Sequence, residues 1–308
     1  MIESKGLKVY FKSRGKTVKA VDGVNVAVGQ KEIVGLIGES GSGKTTLGRT
    51  LLALQRPVEG DVVWNGKDVF RLKGSELKEF RRRNQIIYQI PYEAVDIRYK
   101  VYDVVAEGVR IHGLASTKEE EREMVLKTLE NMGLTPPEEY ANALPLQLSG
   151  GQLQRVAIAR ALILDPEIIV ADEPVSMLDM SIRAGVLNIF TGLKEKGTGV
   201  LMITHDISTI AYVADRVYVM YLGKVVEQGP VERVVENPLH PYTQSLIAAV
   251  PRPDPKSKVE VKLKGEISQV QRGCPLHPRC PFAFNSCREN EPQLKEVEPD
   301  HYVSCFLH

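Results

Sequence analysis

The sequence predicts an α/β fold: a parallel-sheet core carrying an antiparallel β subdomain, a helical subdomain and a small Cys-rich C-terminal extension. Three observations carry that prediction. From about residue 150 onward, apolar strand-like runs alternate with helical stretches, the pattern of a parallel sheet with right-handed crossovers. The apolar run EIVGLIG at 32–38 is bounded by glycine and leads into a Gly-rich turn and a helical stretch. All four cysteines lie between Cys274 and Cys305, and that clustering marks a separate module.

In chain order, LKVYF at 7–11 and VDGVNVAV at 21–28 alternate polar with apolar residues around the turn-forming SRGK, which fits a half-exposed antiparallel ribbon. EIVGLIG reads as a strand buried on both faces, and KTTLGRTLLAL as the helix behind the glycine turn. Helix formers dominate 97–145, as in KEEEREMVLKTLENMG, which closes at Gly133 and the Thr135-Pro136-Pro137 breaker. The helical subdomain is placed at about 97–154. Then follow a helix (QLQRVAIARALIL), a buried strand (EIIVAD), a helix (MSIRAGVLNIFTGLKE), a buried strand (GVLMIT) and a helix from about Ile207. RVYVMYLGKVVEQG reads as a hairpin turning at Leu222-Gly223. Prolines gather beyond Pro230, in NPLHPY, VPRPDPKSK and CPLHPRCPF. The expected domains are therefore 1–235 and a C-terminal extension at 236–308, with a short helix from Thr243 to Ala249. There is no internal repeat.

At 308 residues the chain exceeds one average domain of ~100 to 200 residues. Forty Lys and Arg against thirty-nine Asp and Glu leave a net charge of +1, which argues against gripping nucleic acid across a broad basic face. Phosphate binding must then be local. A composition 43% hydrophobic and 26% charged excludes a disordered or collagen-like chain. No run approaches the ~18 apolar residues of a membrane span. IESKGLKVYFK after Met1 lacks the apolar region of a signal peptide, so a cytosolic location is expected.

Gly38-Glu39-Ser40-Gly41-Ser42-Gly43-Lys44-Thr45 satisfies G-x-x-x-x-G-K-[ST] between a buried strand and a helix, the context that the P-loop requires. Its glycines let backbone N–H groups converge on phosphate, the helix N-terminus adds positive potential, Lys44 reaches the β- and γ-phosphates and Thr45 can hold Mg²⁺. Gly38, Ser40, Gly41, Gly43, Lys44, Thr45 and Thr46 form the expected phosphate site of a P-loop NTPase with a RecA-like core. The bland alternative is a Gly-rich turn with an incidental lysine. EIIVADEP ends a strand on two acids stopped by Pro174. Neighbours on a strand point to opposite sides, so Asp172 is assigned to Mg²⁺ and Glu173 to general base, against a capping or solvated pair. Leu148-Ser149-Gly150-Gly151-Gln152 precedes an amphipathic helix and offers a hydroxyl and unpaired N–H groups at a positive helix end. Ser149, Gly150, Gly151 and Gln152 thus make a second anion cradle where a flexible hinge is the dull reading.

Two cradles in one chain resemble the ATP-binding-cassette family of transporter ATPases, whose motifs recur in family order over roughly residues 5–235. In that family two nucleotide-binding domains face head to tail and each ATP lies between the P-loop of one and the LSGGQ segment of the other. The resemblance implies that Ser149 and Gly151 contact the γ-phosphate bound to a partner subunit. It implies that Gln89, in IIYQIPYEA, touches Mg²⁺ and the attacking water, and that His205, in LMITHDIS, is the switch histidine on the γ-phosphate. An isolated histidine or glutamine is otherwise more often structural. Ser176-Met177-Leu178-Asp179 resembles the loop that communicates across the dimer, with Met177 where alanine is more usual. Adenine needs an aromatic face, and Phe11 matches best, with Tyr10 in reserve.

NPLHPYTQSLIAAVP, Asn237 to Pro251, resembles the extension of the oligopeptide and dipeptide importer subfamily, which also includes importers of nickel and of some oligosaccharides. The cysteine spacing C-x5-C-x6-C-x17-C lacks the C-x2-4-C pair usual for structural zinc, and a reducing cytosol disfavours disulfides. Four thiolates suit a cubic iron–sulfur cluster, and the subfamily resemblance favours a 4Fe-4S cluster on Cys274, Cys280, Cys287 and Cys305, with Zn²⁺ or unligated thiols as alternatives. His277, His301 and His308 stay outside that ligand set. One departure is the run Gln89-Ile90-Pro91-Tyr92-Glu93-Ala94-Val95-Asp96-Ile97, where the subfamily has an acidic residue and then Asn-Pro; it bears on docking to the membrane subunit, not on hydrolysis.

The resemblance therefore implies an ATP- and Mg²⁺-dependent importer ATPase, peripheral on the cytoplasmic face of the membrane. Its expected partners are a second ATPase subunit, identical or paralogous, two transmembrane permease subunits and, indirectly, an extracytoplasmic solute-binding protein. No nucleic-acid partner is expected. Peptide is the default solute, with oligosaccharide or nickel as alternatives. A soluble non-transport ATPase of the same family and a P-loop kinase are the competing classes; the first brings tandem cassettes or coiled-coil insertions, and the second has no use for LSGGQ.

Overall fold

The computed structural model describes residues 1–13, 15–249, 261–267, 270 and 272–308. Arg14 of the expected SRGK turn, Pro251 and the proline-rich stretch at 250–258 lie outside the described residues. The chain forms two compact units: Met1–Ile2, Val28–Ile33 and Trp64–Met202 make one, and Glu3–Ala27, Val34–Val63 and Ile203–His308 make the other.

In the first unit the strand Asn84–Ile87 runs parallel to Ile168–Asp172, in register from Asn84 opposite Ile168 to Ile87 opposite Ala171. Gly199–Thr204 lies on the other side of Ile168–Asp172. Ile168–Asp172 and Gly199–Thr204 are buried at every position, as their unbroken apolar runs require. The helices Val101–His112, Lys118–Asn131, Pro137–Asn142 and Gly150–Leu162 pack together as expected for the helical subdomain. Val105, Val109, Val125, Leu129, Leu153 and Val156 are all buried there, each worth about 1.5–3 kcal/mol relative to exposure. Thr117 caps Lys118–Asn131 by accepting from Glu120 N, and Gly133, at φ +66°, follows its end. The stretch Gly74–Arg83, which carries no strong apolar period, is a helix whose Phe80 is buried edge-on against Trp64, with ring centroids 5.4 Å apart.

In the second unit the strands Ile2–Ser13 and Lys16–Val28 extend well past the expected 7–11 and 21–28. Their exposed faces carry Lys and Glu, which hides the strand ends from an apolar pattern. Ile33–Ile37, wholly buried, pairs in parallel with Arg216–Tyr221, which turns at Leu222 and Gly223 into the antiparallel Lys224–Pro230. That hairpin is as expected, with a register shift between Val225 and Glu227. The C-terminal segment continues the sheet: His301–Val303 pairs with Lys224–Pro230 and with Lys295–Glu298, all antiparallel.

A buried acid fastens that segment. Glu227 accepts from the backbone N–H groups of Leu239 and His240 at 2.8 and 2.9 Å and pairs with His301 Nε2 at 2.8 Å, both side chains being fully buried. The Glu227 hydrogen bond raises the His301 pKa above the ordinary histidine value. His240 begins the helix Pro241–Ala248 and accepts from Tyr242 N with Nδ1. Burial pushes His240 down to about 4, which keeps that nitrogen an acceptor.

Candidate functional site

In the second unit the loop 38–43 connects the buried strand Ile33–Ile37 to the helix Lys44–Leu51. Gly43, at φ +104°, is the N-cap of that helix and, having no side chain, supplies no capping hydrogen bond to its first turn. Lys44 is buried; its Nζ donates to the carbonyls of Gly38 and Glu39 at 2.7 and 2.9 Å and to Ser42 Oγ at 3.4 Å. The hairpin turn latches on from the other side, Gly223 N donating to Ser42 O at 2.9 Å. Ser40 is exposed, while Thr45 and Thr46 are half-buried in the first helical turn. A buried lysine held by carbonyls beside a glycine turn at a helix start fits a polyphosphate.

Phe11 and Tyr10 stand apart in environment. The Tyr10 hydroxyl donates to Asp22 Oδ1 at 2.5 Å and its ring faces Lys19, whereas Phe11 is 40% exposed. The tyrosine is thus already committed within the protein, and Phe11 has the open aromatic face. His205 is exposed directly after Gly199–Thr204, and Asp206 behind it caps the helix Ile207–Val213 by accepting from Ser208 N and Thr209 N.

In the first unit Asp172 is the buried last residue of Ile168–Asp172. Glu173 does not continue the strand, and its separation from Asp172 is not the alternation expected. It adopts φ +47°, a left-handed conformation uncommon for a non-glycine residue, braced by the Ser176 hydroxyl donating to its carbonyl at 3.0 Å. Gln89 Nε2 donates to Glu173 Oε2 at 2.9 Å, so the structure brings those two predicted residues together. Ser149 and Gln152 form a reciprocal cap at the start of Gly150–Leu162: Ser149 Oγ accepts from Gln152 N at 3.3 Å and Gln152 Oε1 accepts from Ser149 N at 2.8 Å. Ser149 and Gly150 are exposed.

Cys274, Cys280, Cys287 and Cys305 are in no disulfide and line one small pocket with Leu276, Phe282 and Phe306. Among the described residues, however, no group of three or more His, Cys, Asp or Glu side chains is arranged to hold a metal ion. No metal-holding group among the described residues therefore supports the expected 4Fe-4S cluster, or zinc in its place. Burial pushes the Cys274 thiol up to about 12 and raises Cys280 and Cys305 as well.

Two family models match the chain: ABC transporter over residues 21–176, and oligopeptide/dipeptide transporter, C-terminal region, over 226–287. Oligopeptide transport ATP-binding protein OppF of Bacillus subtilis is 43% identical over 99% of this chain and 96% of its own. The chain belongs to the ABC transporter ATP-binding family. A peptide import ATP-binding protein of Brucella ovis is 41% identical over 99% of this chain and 97% of its own length. The ATP-binding cassette MJ0796, solved as a dimer in a post-hydrolysis state bound to ADP and Pi, is 31% identical with a TM-score of 0.69, covering 75% of this chain and 99% of that one. The structure of cbiO1 from Clostridium perfringens, part of the ABC transporter complex cbiONQ, shares the fold at 24% identity and a TM-score of 0.65 over 77% of this chain and 90% of its own. Among the described residues no helix is long and apolar enough to cross a membrane.

Two residues of the oligopeptide/dipeptide transporter C-terminal region were missed by sequence reasoning as neighbours of the phosphate loop. Tyr242 and Arg279 both bind Glu39, and nothing local in the sequence signals contacts 203 and 240 residues away.

Proposed function

We propose that the chain is the ATP-binding and ATP-hydrolysing subunit of an importer of oligopeptides or dipeptides, working through separate membrane permease subunits. What carries this reading is the pairing, in one chain, of a complete phosphate loop and an exposed serine-capped glycine turn, followed by a C-terminal region of the oligopeptide type. Relatives named for oligopeptide transport favour peptide over oligosaccharide or nickel as the solute.

Gly38, Ser40, Gly41, Gly43, Lys44, Thr45 and Thr46 would take the phosphates, and Phe11 the adenine. Thr45, Gln89 and Asp172 would hold Mg²⁺, which neutralises phosphate charge when bound. Glu173 orients and deprotonates the attacking water; its left-handed backbone and its hydrogen bond from Gln89 fix the carboxylate's aim. His205 steadies the γ-phosphate. Ser149, Gly150, Gly151 and Gln152 serve the nucleotide of a second ATPase subunit, identical or paralogous. Ile90, Tyr92, Ile97 and Tyr99, all exposed around the Gln89 loop, suit contact with a permease on the cytoplasmic face. An extracytoplasmic binding protein would deliver the solute.

Glu173→Gln tests the assignment. Turnover should fall by roughly 10²–10⁴-fold while ATP is retained and a dimer accumulates on sizing columns. Brisk hydrolysis by that variant rejects Glu173 as the base.

The 4Fe-4S cluster belongs here as the finer proposal. Its support is that all four cysteines line one pocket, and its assembly would have to deprotonate and re-aim them. Anaerobic purification with iron and acid-labile sulfide analysis decides; an iron-free, colourless protein rejects it.

A further inference from the structure

The second position of the phosphate loop is an acid. A carboxylate beside a polyphosphate cradle repels its ligand unless its charge is cancelled. Arg279 cancels it here: Nη1 donates to Glu39 Oε2 at 2.9 Å and Nη2 to Oε1 at 3.3 Å, a two-pronged pair whose side chains are only 13% and 28% exposed. The guanidinium lies 5.9 Å from the Tyr221 ring centroid, and the Tyr221 ring is 4.6 Å from that of Tyr242.

The backbone of Glu39 is held as firmly. Its N–H donates to the Tyr242 hydroxyl at 2.6 Å, and its carbonyl accepts from Lys44 Nζ at 2.9 Å. Two of those three partners come from beyond residue 240. Tyr242 sits at the His240-capped start of Pro241–Ala248. Arg279 is presented by the tight turn from Cys274 to Cys280, in which His277 N donates to Cys274 O at 3.0 Å and both Arg279 N and Cys280 N donate to Leu276 O at 2.9 Å.

We propose that Arg279 and Tyr242 are positioning residues for the nucleotide, through which the C-terminal segment sets ATP affinity. Arg279 removes the charge of Glu39 from the cradle, and Tyr242 fixes the Gly38–Glu39 peptide, whose carbonyl neighbours anchor Lys44. Neither residue touches the phosphates. The inference rests on the loop 38–45 being the ATP site.

The test is steady-state hydrolysis of Mg-ATP by the full chain, with ATP binding measured alongside. Arg279→Gln should raise KM for ATP about tenfold with kcat within about twofold, a loss typical of one charged partner. Glu39→Gln combined with Arg279→Gln should recover most of that loss, because the charge needing cancellation is gone. Arg279→Lys should lie between wild type and Arg279→Gln, and Tyr242→Phe should raise KM about threefold. Wild-type KM in Arg279→Gln, or a double variant no better than the single, overturns the proposal. Should Arg279→Gln fail to fold, Arg279→Lys and Tyr242→Phe carry the decision, and wild-type KM in both overturns it. Lys44→Ala separates the two levels: if it still binds ATP normally, the nucleotide-site reading falls, whereas loss of binding there with an unaltered Arg279→Gln rejects only this inference.

Discussion

The loop 38–43 and the turn 149–152 both aim backbone N–H groups from a helix start, but their glycines answer to different demands. A Cβ at Gly43 would meet Ala20 O at 1.9 Å and one at Gly38 would meet Met220 O at 2.1 Å, both with backbone at positive φ. Packing within the second unit therefore dictates glycine there. At Gly150 an added Cβ meets nothing within 4 Å, and at Gly151 only ordinary contacts with Ile182 and Leu178 at 3.4 Å. Nothing among the described residues around 150 asks for a missing side chain. A small residue on an open surface suits something that docks there, which agrees with the proposed contact to a second subunit's nucleotide. Packing inside the chain shapes the loop 38–43, whereas no such packing demand acts on the turn 149–152 among the described residues.

The largest effect that would sharpen this contrast is at Gly43. Gly43→Ala combines a left-handed backbone with a carbonyl collision, costing about 4 kcal/mol together, so ATP binding should disappear and the thermal midpoint fall. Normal ATP affinity in that variant would mean that the loop is not held by its neighbours. Ser149→Ala comes second. It removes a helix cap worth about 1 kcal/mol, yet hydrolysis should drop about a hundredfold because a donor to the partner's phosphate is lost. Binding of ATP by the isolated chain, measured by equilibrium titration, should stay as it was; a matching loss there would place Ser149 on its own subunit's nucleotide.

The same difference explains what the sequence disclosed. Ile33–Ile37, Ile168–Asp172 and Gly199–Thr204 are legible because full burial writes unbroken apolar runs between glycines and polar ends. The phosphate loop and the serine-capped turn are legible because their chemistry fixes several adjacent residue types. Lys295–Glu298 and His301–Val303 escaped because they are short, and Lys295–Glu298 is mostly exposed and charged. Glu173 was placed by strand alternation, whereas a left-handed turn sets its direction, and local turn geometry on a non-glycine residue leaves no sequence mark. Glu227 with His301, and Glu39 with Arg279, are pairs 74 and 240 residues apart, and a single sequence carries no periodicity at such distances.

Gly150→Ala gives the smallest change in stability and the cleanest reading of the comparison. Residue 150 opens a helix with normal backbone angles and empty space beyond its Cα, so alanine loses nothing in packing. It also restricts the unfolded chain, so stability measured by urea unfolding should hold or rise by about 0.5 kcal/mol. Hydrolysis should nevertheless fall, because a methyl group now stands where a phosphate oxygen must approach the first N–H groups of the helix. A variant that is both more stable and less active fits a surface shaped for an incoming ligand. A variant destabilised by 1 kcal/mol or more would instead show that the turn 149–152 is constrained from within, like the loop 38–43, and the distinction between the two cradles would be lost.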